Sequence, residues 1–143
     1  HFTGVEGNVD ACQKLRQVAD RVCHASMLDP TKPWGSGYDL SISKGVLIHI
    51  HPAELPAAYA ALYEASRKYI LICEYFSRQR TEIEYHGQMG RLWKSDFAAE
   101  MMAAYPDLTL ADYGFASRLD PLLRQDDLNW YCLEKQSADL TAA

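Results

Sequence analysis

Apolar positions along the chain fall into short blocks of two kinds, unbroken or alternating runs and runs spaced at three to four residues, and the blocks take turns. Phe2 to Val5 is a short apolar stretch that ends at Glu6. Asn8 can then cap a helix from Val9 to about Ala19, with Val9, Cys12, Leu15, Val18 and Ala19 at helical spacing. Arg21 to His24 reads as a second strand, and Leu28 to Gly37, with Pro30, Pro33, Gly35 and Gly37, reads as a loop. Tyr38 to Ser43 is a third strand, broken by Lys44-Gly45 ahead of a second apolar piece, Val46 to Ile50. The spacing of Leu55, Tyr59, Leu62, Tyr63 and Ser66 predicts a helix over Pro52 to Arg67, whose prolines fall where a first turn tolerates them. Tyr69 to Cys73 is an unbroken apolar run ending at Glu74, the pattern of a strand covered on both faces. After a polar stretch, Ser77 to Lys94, Ser95 or Asp96 caps a helix that runs through Tyr105 and stops at Pro106. Leu108 to Phe115 and Leu128 to Glu134 alternate as two closing strands. Residues 1–136 form the expected domain, and Ser137 to Ala143 a flexible tail.

Strands alternating with helices imply an α/β, Rossmann-like fold: a mostly parallel sheet, covered on both faces, with an antiparallel edge where the last two strands meet without a helix. At 143 residues and 48% hydrophobic content the chain can bury one sizeable core. Its 14 basic and 19 acidic residues, net −5, are interspersed and form no basic stripe, so nucleic acid is not an expected partner. No apolar run approaches the roughly 20 residues that cross a bilayer, and the N-terminus lacks the pattern of a signal peptide. A cytoplasmic protein without a membrane partner is the expectation. Cys12, Cys23, Cys73 and Cys132 lie far apart without a C-x-x-C pair and read as reduced core thiols.

In open α/β sheets ligands sit at the carboxyl ends of the strands, which directs attention to Glu6, Ser26, Met27, Lys44, Gly45 and Glu74. Glu6, followed by Gly7, is placed to accept hydrogen bonds from a ribose; the plainer alternative is an acid favouring the dipole of the next helix. Ser26 and Met27 could meet an adenine edge and face, or be ordinary loop and core residues. His49 and His51, two apart, could join Glu74 or His86 at a zinc or iron ion if the segment were extended. A short turn would separate them, and no metal is expected: His49 then lines the reaction site and His51 begins the next helix. His49 and His86 are the candidate general bases, since imidazole titrates near working pH. Arg78, Arg80, Glu82, Glu84, Tyr85, His86, Arg91 and Lys94 gather in the polar stretch after the Tyr69 to Cys73 strand. They read either as a solvated surface loop or as a lid that binds the acceptor, with Tyr85, Arg91 and Lys94 in contact and the two cations facing an acidic or phosphorylated group.

The segment Tyr38-Asp-Leu-Ser-Ile-Ser-Lys-Gly-Val-Leu-Ile-His-Ile50 resembles the fourth-strand motif of class I S-adenosylmethionine-dependent methyltransferases, and Tyr69-Ile-Leu-Ile-Cys-Glu-Tyr75 resembles their fifth strand. A nearer resemblance is to the pseudaminic-acid-biosynthesis-associated methylases. It rests on Lys44 to Ile50, Leu92-Trp-Lys-Ser-Asp-Phe97, Tyr105 to Phe115 and Gln125-Asp-Asp-Leu-Asn-Trp130, and spans Gly4 to Lys135. The resemblance implies S-adenosylmethionine as cofactor, with Glu6 and Gly7 at the ribose, Ser26 and Met27 at adenine, and Lys44, Gly45 and Val46 under the methionine moiety. It implies a small-molecule acceptor, in that subfamily a sugar or sugar nucleotide. Many class members have aspartate where Ser26 stands, and serine is a weaker acceptor for an adenine amino group. The first strand and its glycine-rich loop are expected upstream of His1, at the sheet centre; the alternative is a homodimer whose strands pair across the two chains. A non-catalytic Rossmann-like assembly module and a metal-dependent enzyme using His49 and His51 are the competing functions.

Overall fold

The computed structural model describes residues 1–136, so the expected tail lies outside the described residues. The chain runs β1 (Thr3–Glu6), α1 (Val9–Leu15), β2 (Arg21–His24), β3 (Tyr38–Lys44), 3-10 turns at Leu47–His49 and Pro52–Glu54, α2 (Leu55–Ala65) and β4 (Ser66–Glu74). It continues with β5 (Thr81–Tyr85), β6 (Gln88–Lys94), α3 (Phe97–Ala104), β7 (Leu108–Ala116) and β8 (Leu128–Lys135). Asn8 caps α1 by accepting from the Ala11 amide, and Asp96 caps α3 by accepting from Ala99, as short polar side chains do at helix starts. Helix α1 stops at Leu15, short of Ala19: the Gln17 and Val18 amides bond to Lys14 and Leu15, a tightening to 3-10 geometry that lets the chain turn back to β2.

The strands form three groups. β1 pairs with β2 in parallel, β3–β4–β8–β7 make a four-stranded sheet, and β5–β6 are a hairpin. β3 and β4 are parallel, joined through α2, while β4–β8, β8–β7 and β5–β6 are antiparallel. The four-stranded sheet is therefore mixed, with one parallel and two antiparallel pairings where a mostly parallel sheet was expected, because β8 enters beside β4 from the hairpin-like β7–β8 return; the antiparallel edge lies where the last two strands meet. The Ser77 to Lys94 stretch, read from sequence as loop, carries the hairpin; His86 and Gly87 both have positive φ (51° and 74°), the backbone a tight two-residue hairpin turn demands.

Helices α2 and α3 pack on the same face of the four-stranded sheet. Leu55, Tyr59 and Leu62 of α2 and Phe97 and Met101 of α3 share one core with Ile70, Ile72 and Leu133, and burying each such Leu or Ile contributes about 1.5–3 kcal/mol. Coverage on both faces does not hold among the described residues. On β3 the alternation puts Ser41 and Ser43 inward and leaves Leu40 and Ile42 40% and 55% exposed. Leu71 and Cys132 lie in register with Ile42 and are only half-buried, so the opposite face is apolar and open.

Candidate active site

Each of the two parallel strand groups has an edge that pairs with nothing among the described residues, and these two edges face one another. The Tyr38 hydroxyl, which donates to the Trp34 carbonyl at 2.7 Å, lies 3.0 Å from Thr3 Oγ1, which sets the start of β3 beside the start of β1. Between the two strands lies a cavity of about 500 Å³ whose lining includes Glu6, Met27, Lys44 and Val46, with Trp34 and Ser43. Three residues chosen for ending strands, Glu6, Met27 and Lys44, thus line one space with Val46 of the following turn, because parallel strands deliver their carboxyl ends to one side of a sheet.

Glu6 Oε1 accepts from the Asn8 amide at 2.7 Å, so the carboxylate both borders the cavity and holds the entry to α1. The Gly7 carbonyl lies 3.0 Å from His24 Nε2. Ser26 is not part of that lining; its Oγ accepts from the Leu28 amide at 3.1 Å, which leaves its own hydrogen free to donate. Gly45 has φ 64°, and its amide bonds the Cys73 carbonyl at 2.9 Å, so the chain leaves β3 sharply while still tied to β4.

That turn is organised by a residue whose part the sequence did not disclose. Glu74, at the end of β4 and 3% exposed, accepts from Ser43 Oγ at 2.7 Å and from the Val46 and Leu47 amides at 3.1 Å on Oε1; the Ile48 amide reaches Oε2 at 3.5 Å. The Val46 to Ile50 piece is consequently a 3-10 turn whose open amides the carboxylate takes up. Burial pushes the Glu74 carboxyl up from the usual range, and the hydrogen bonds from Ser43 and the turn oppose part of that shift.

His49, at the end of this turn, has Nδ1 2.8 Å from the Arg91 carbonyl on β6, and its ring centroid is 5.3 Å from that of Tyr85 on β5. His86 stacks edge-on against Tyr85 at 4.2 Å, one ring further out on the hairpin. His51 turns elsewhere, accepting from the Ala53 amide and packing edge-on against Trp93. The turn separates the two histidines, Glu74 faces inward, and among the described residues no three metal-ligating side chains gather. Lys94 lies 5.5 Å above the Tyr75 ring, and the Tyr75 hydroxyl donates to Asp126 at 2.7 Å, a bond that pushes its pKa up to about 12. The four cysteines are free thiols, Cys12 and Cys23 buried.

No protein-family model matches the chain, and no curated protein does. Solved structures do. A 1,6-didemethyltoxoflavin N1-methyltransferase from Burkholderia thailandensis, with its substrate and S-adenosylhomocysteine bound, aligns at TM-score 0.67 and 17% identity over 94% of this chain and 61% of that one. A SAM-dependent methyltransferase from Leishmania major aligns at 0.67 and 18% over 92% and 54%. Magnesium protoporphyrin IX methyltransferase from Synechocystis, with SAM bound, aligns at 0.63 and 13% over 94% and 59%. The chain spans little more than half the length of these structures, and at such identities the likeness establishes the fold, that of the class I SAM-dependent methyltransferases.

Proposed function

We propose that this chain is the greater part of an S-adenosylmethionine-dependent methyltransferase that acts on a small molecule. The observation that carries the reading is a cavity that runs along β1 and β3 and takes in Glu6, Met27, Lys44 and Val46 at its carboxyl-end side, in a fold whose solved examples hold SAM or S-adenosylhomocysteine. Glu6 takes the ribose hydroxyls with Gly7 beside it, Met27 packs on adenine, and the Lys44–Gly45–Val46 turn runs under the methionine moiety. Ser26, whose Oγ already accepts from the Leu28 amide, meets the adenine edge through its remaining hydrogen, beside Met27 on the adenine face.

The space between β1 and β3 also receives, in this proposal, a strand from upstream of His1 that pairs with both edges and brings the glycine-rich loop to the cofactor. Support comes from the two facing edges and from the open apolar face of β3 and β4. The acceptor lies under the β5–β6 hairpin against Tyr85, Arg91 and Lys94, with His49 as base and His86 flanking it. Two of the like structures are methyltransferases of 1,6-didemethyltoxoflavin and of magnesium protoporphyrin IX, which supports a small-molecule acceptor and gives no particular support to a sugar.

Calorimetry with S-adenosylhomocysteine on the full-length protein tests the reading. Glu6→Ala should weaken binding by about 1.5–3 kcal/mol, the range for hydrogen bonds to a charged group. Unchanged affinity removes Glu6 from the ribose, and no binding by the parent protein favours a non-catalytic module.

A further inference from the structure

Arg91 contributes a carbonyl to His49, and a carbonyl can only accept, so Nδ1 must carry the hydrogen. In the neutral ring Nε2 then holds the lone pair. The other side of His49 is anchored as firmly: the turn that carries it, Leu47–His49, starts from amides bound by the buried Glu74, and the same carboxylate holds Ser43 at the end of β3. One side chain therefore joins the cavity-lining strand end, the Lys44–Val46 turn and the histidine into a single piece.

We propose that Glu74 and the Arg91 carbonyl together hold His49 as a preset proton acceptor, with Nε2 available to the acceptor molecule and Glu74 as its positioning residue. The inference rests on the methyltransferase reading and adds to it the class of acceptor. A nucleophile that carries a hydrogen, a hydroxyl or a ring or amide N–H, fits a base held in this way. Its lone pair forms the new bond to the methyl carbon as the carbon–sulfur bond breaks and leaves its electron pair on sulfur. The nucleophile's proton passes to Nε2, so the positive charge lost from the sulfonium reappears on the imidazolium and the step balances. An amine that arrives neutral and without a hydrogen has no use for such a base.

The tautomer can be read by nitrogen NMR of the histidine rings in the full chain without any ligand, which keeps it separate from cofactor binding. Expected is a His49 spectrum with Nε2 unprotonated and Nδ1 protonated at alkaline pH, against the opposite preference of a free histidine. Glu74→Gln places an N–H2 against an amide donor and should lower hydrogen-exchange protection at Val46, Leu47 and Ile48 by at least about tenfold. The same variant should return His49 to a mixture of tautomers, while the β4–β8 ladder amides keep their protection. Ser43→Ala, which removes one hydroxyl and leaves the turn intact, should give a smaller loss at the same three amides, and serves if Glu74→Gln does not fold. A parent protein whose His49 already carries its hydrogen on Nε2, or a folded variant in which the turn amides and His49 are unmoved, overturns the proposal.

Discussion

Glu74 sets two opposing effects against each other at one side chain: burial favours its neutral form, and four donors favour its charge. Burial wins, so the folded state binds this proton more tightly than the unfolded chain does. Stability drawn from Glu74 is then fully present below the ordinary glutamate pKa and is lost as pH rises through the higher folded value. The difference in unfolding free energy between the parent protein and Glu74→Gln, measured in urea from about pH 4 upward, should therefore shift against the parent as pH rises, with the other carboxylates cancelling. A gap that moves the other way, or not at all, shows that the hydrogen bonds outweigh desolvation. Residues that end strands were legible because parallel order fixes where they go, which is why Glu6, Met27 and Lys44 meet at one cavity. Ser26 and Glu74 were legible only as positions. Whether their oxygens face a ligand or a backbone amide depends on turn geometry that spacing does not encode.

Element boundaries were readable where a cap or a proline marks them, as at Asn8, Asp96 and Pro106, and least readable in the hairpin, whose charge density hid its alternation. The hairpin offers the sharpest functional test at this scale. Replacing Arg91 and Lys94 with Ala leaves the Arg91 carbonyl, and so the His49 contact, in place. In the full-length protein the double variant should raise the acceptor's KM while affinity for S-adenosylhomocysteine stays within about twofold, because each ligand makes its own contacts. An equal loss of both makes the hairpin a structural cover. At the far edge of the sheet, Gly114 faces Trp130 across the β7–β8 pair, and a methyl group there would stand 2.6 Å from the indole ring. Gly114→Ala should displace Trp130 and lower stability by about 1–3 kcal/mol, the usual cost of overpacking, seen as a lower thermal midpoint with a changed tryptophan spectrum.

At the scale of the whole molecule the decisive feature is that the helices of the main sheet stand on one side of it. Leu40 and Ile42 project from the other side, Leu71 and Cys132 extend the same row, and the adjoining edge of β3 opens on the cavity. An apolar face that joins an unpaired strand edge is a place where a further segment binds, or where chains associate if none does. The proposed upstream strand and the segment leading to it would cover both, and this can be tested through one side chain. Ile42→Lys in the 143-residue chain puts a charge where solvent already reaches, so its unfolding free energy should change by no more than about 0.5 kcal/mol, and its self-association in sedimentation should fall. In the full-length protein the same lysine would be driven into an apolar contact. There it should cost roughly 2 kcal/mol or more, since a buried charge forfeits its hydration and the isoleucine its packing. Equal, small effects in both proteins would leave this face exposed in each, and the upstream segment would then have to be sought elsewhere on the fold.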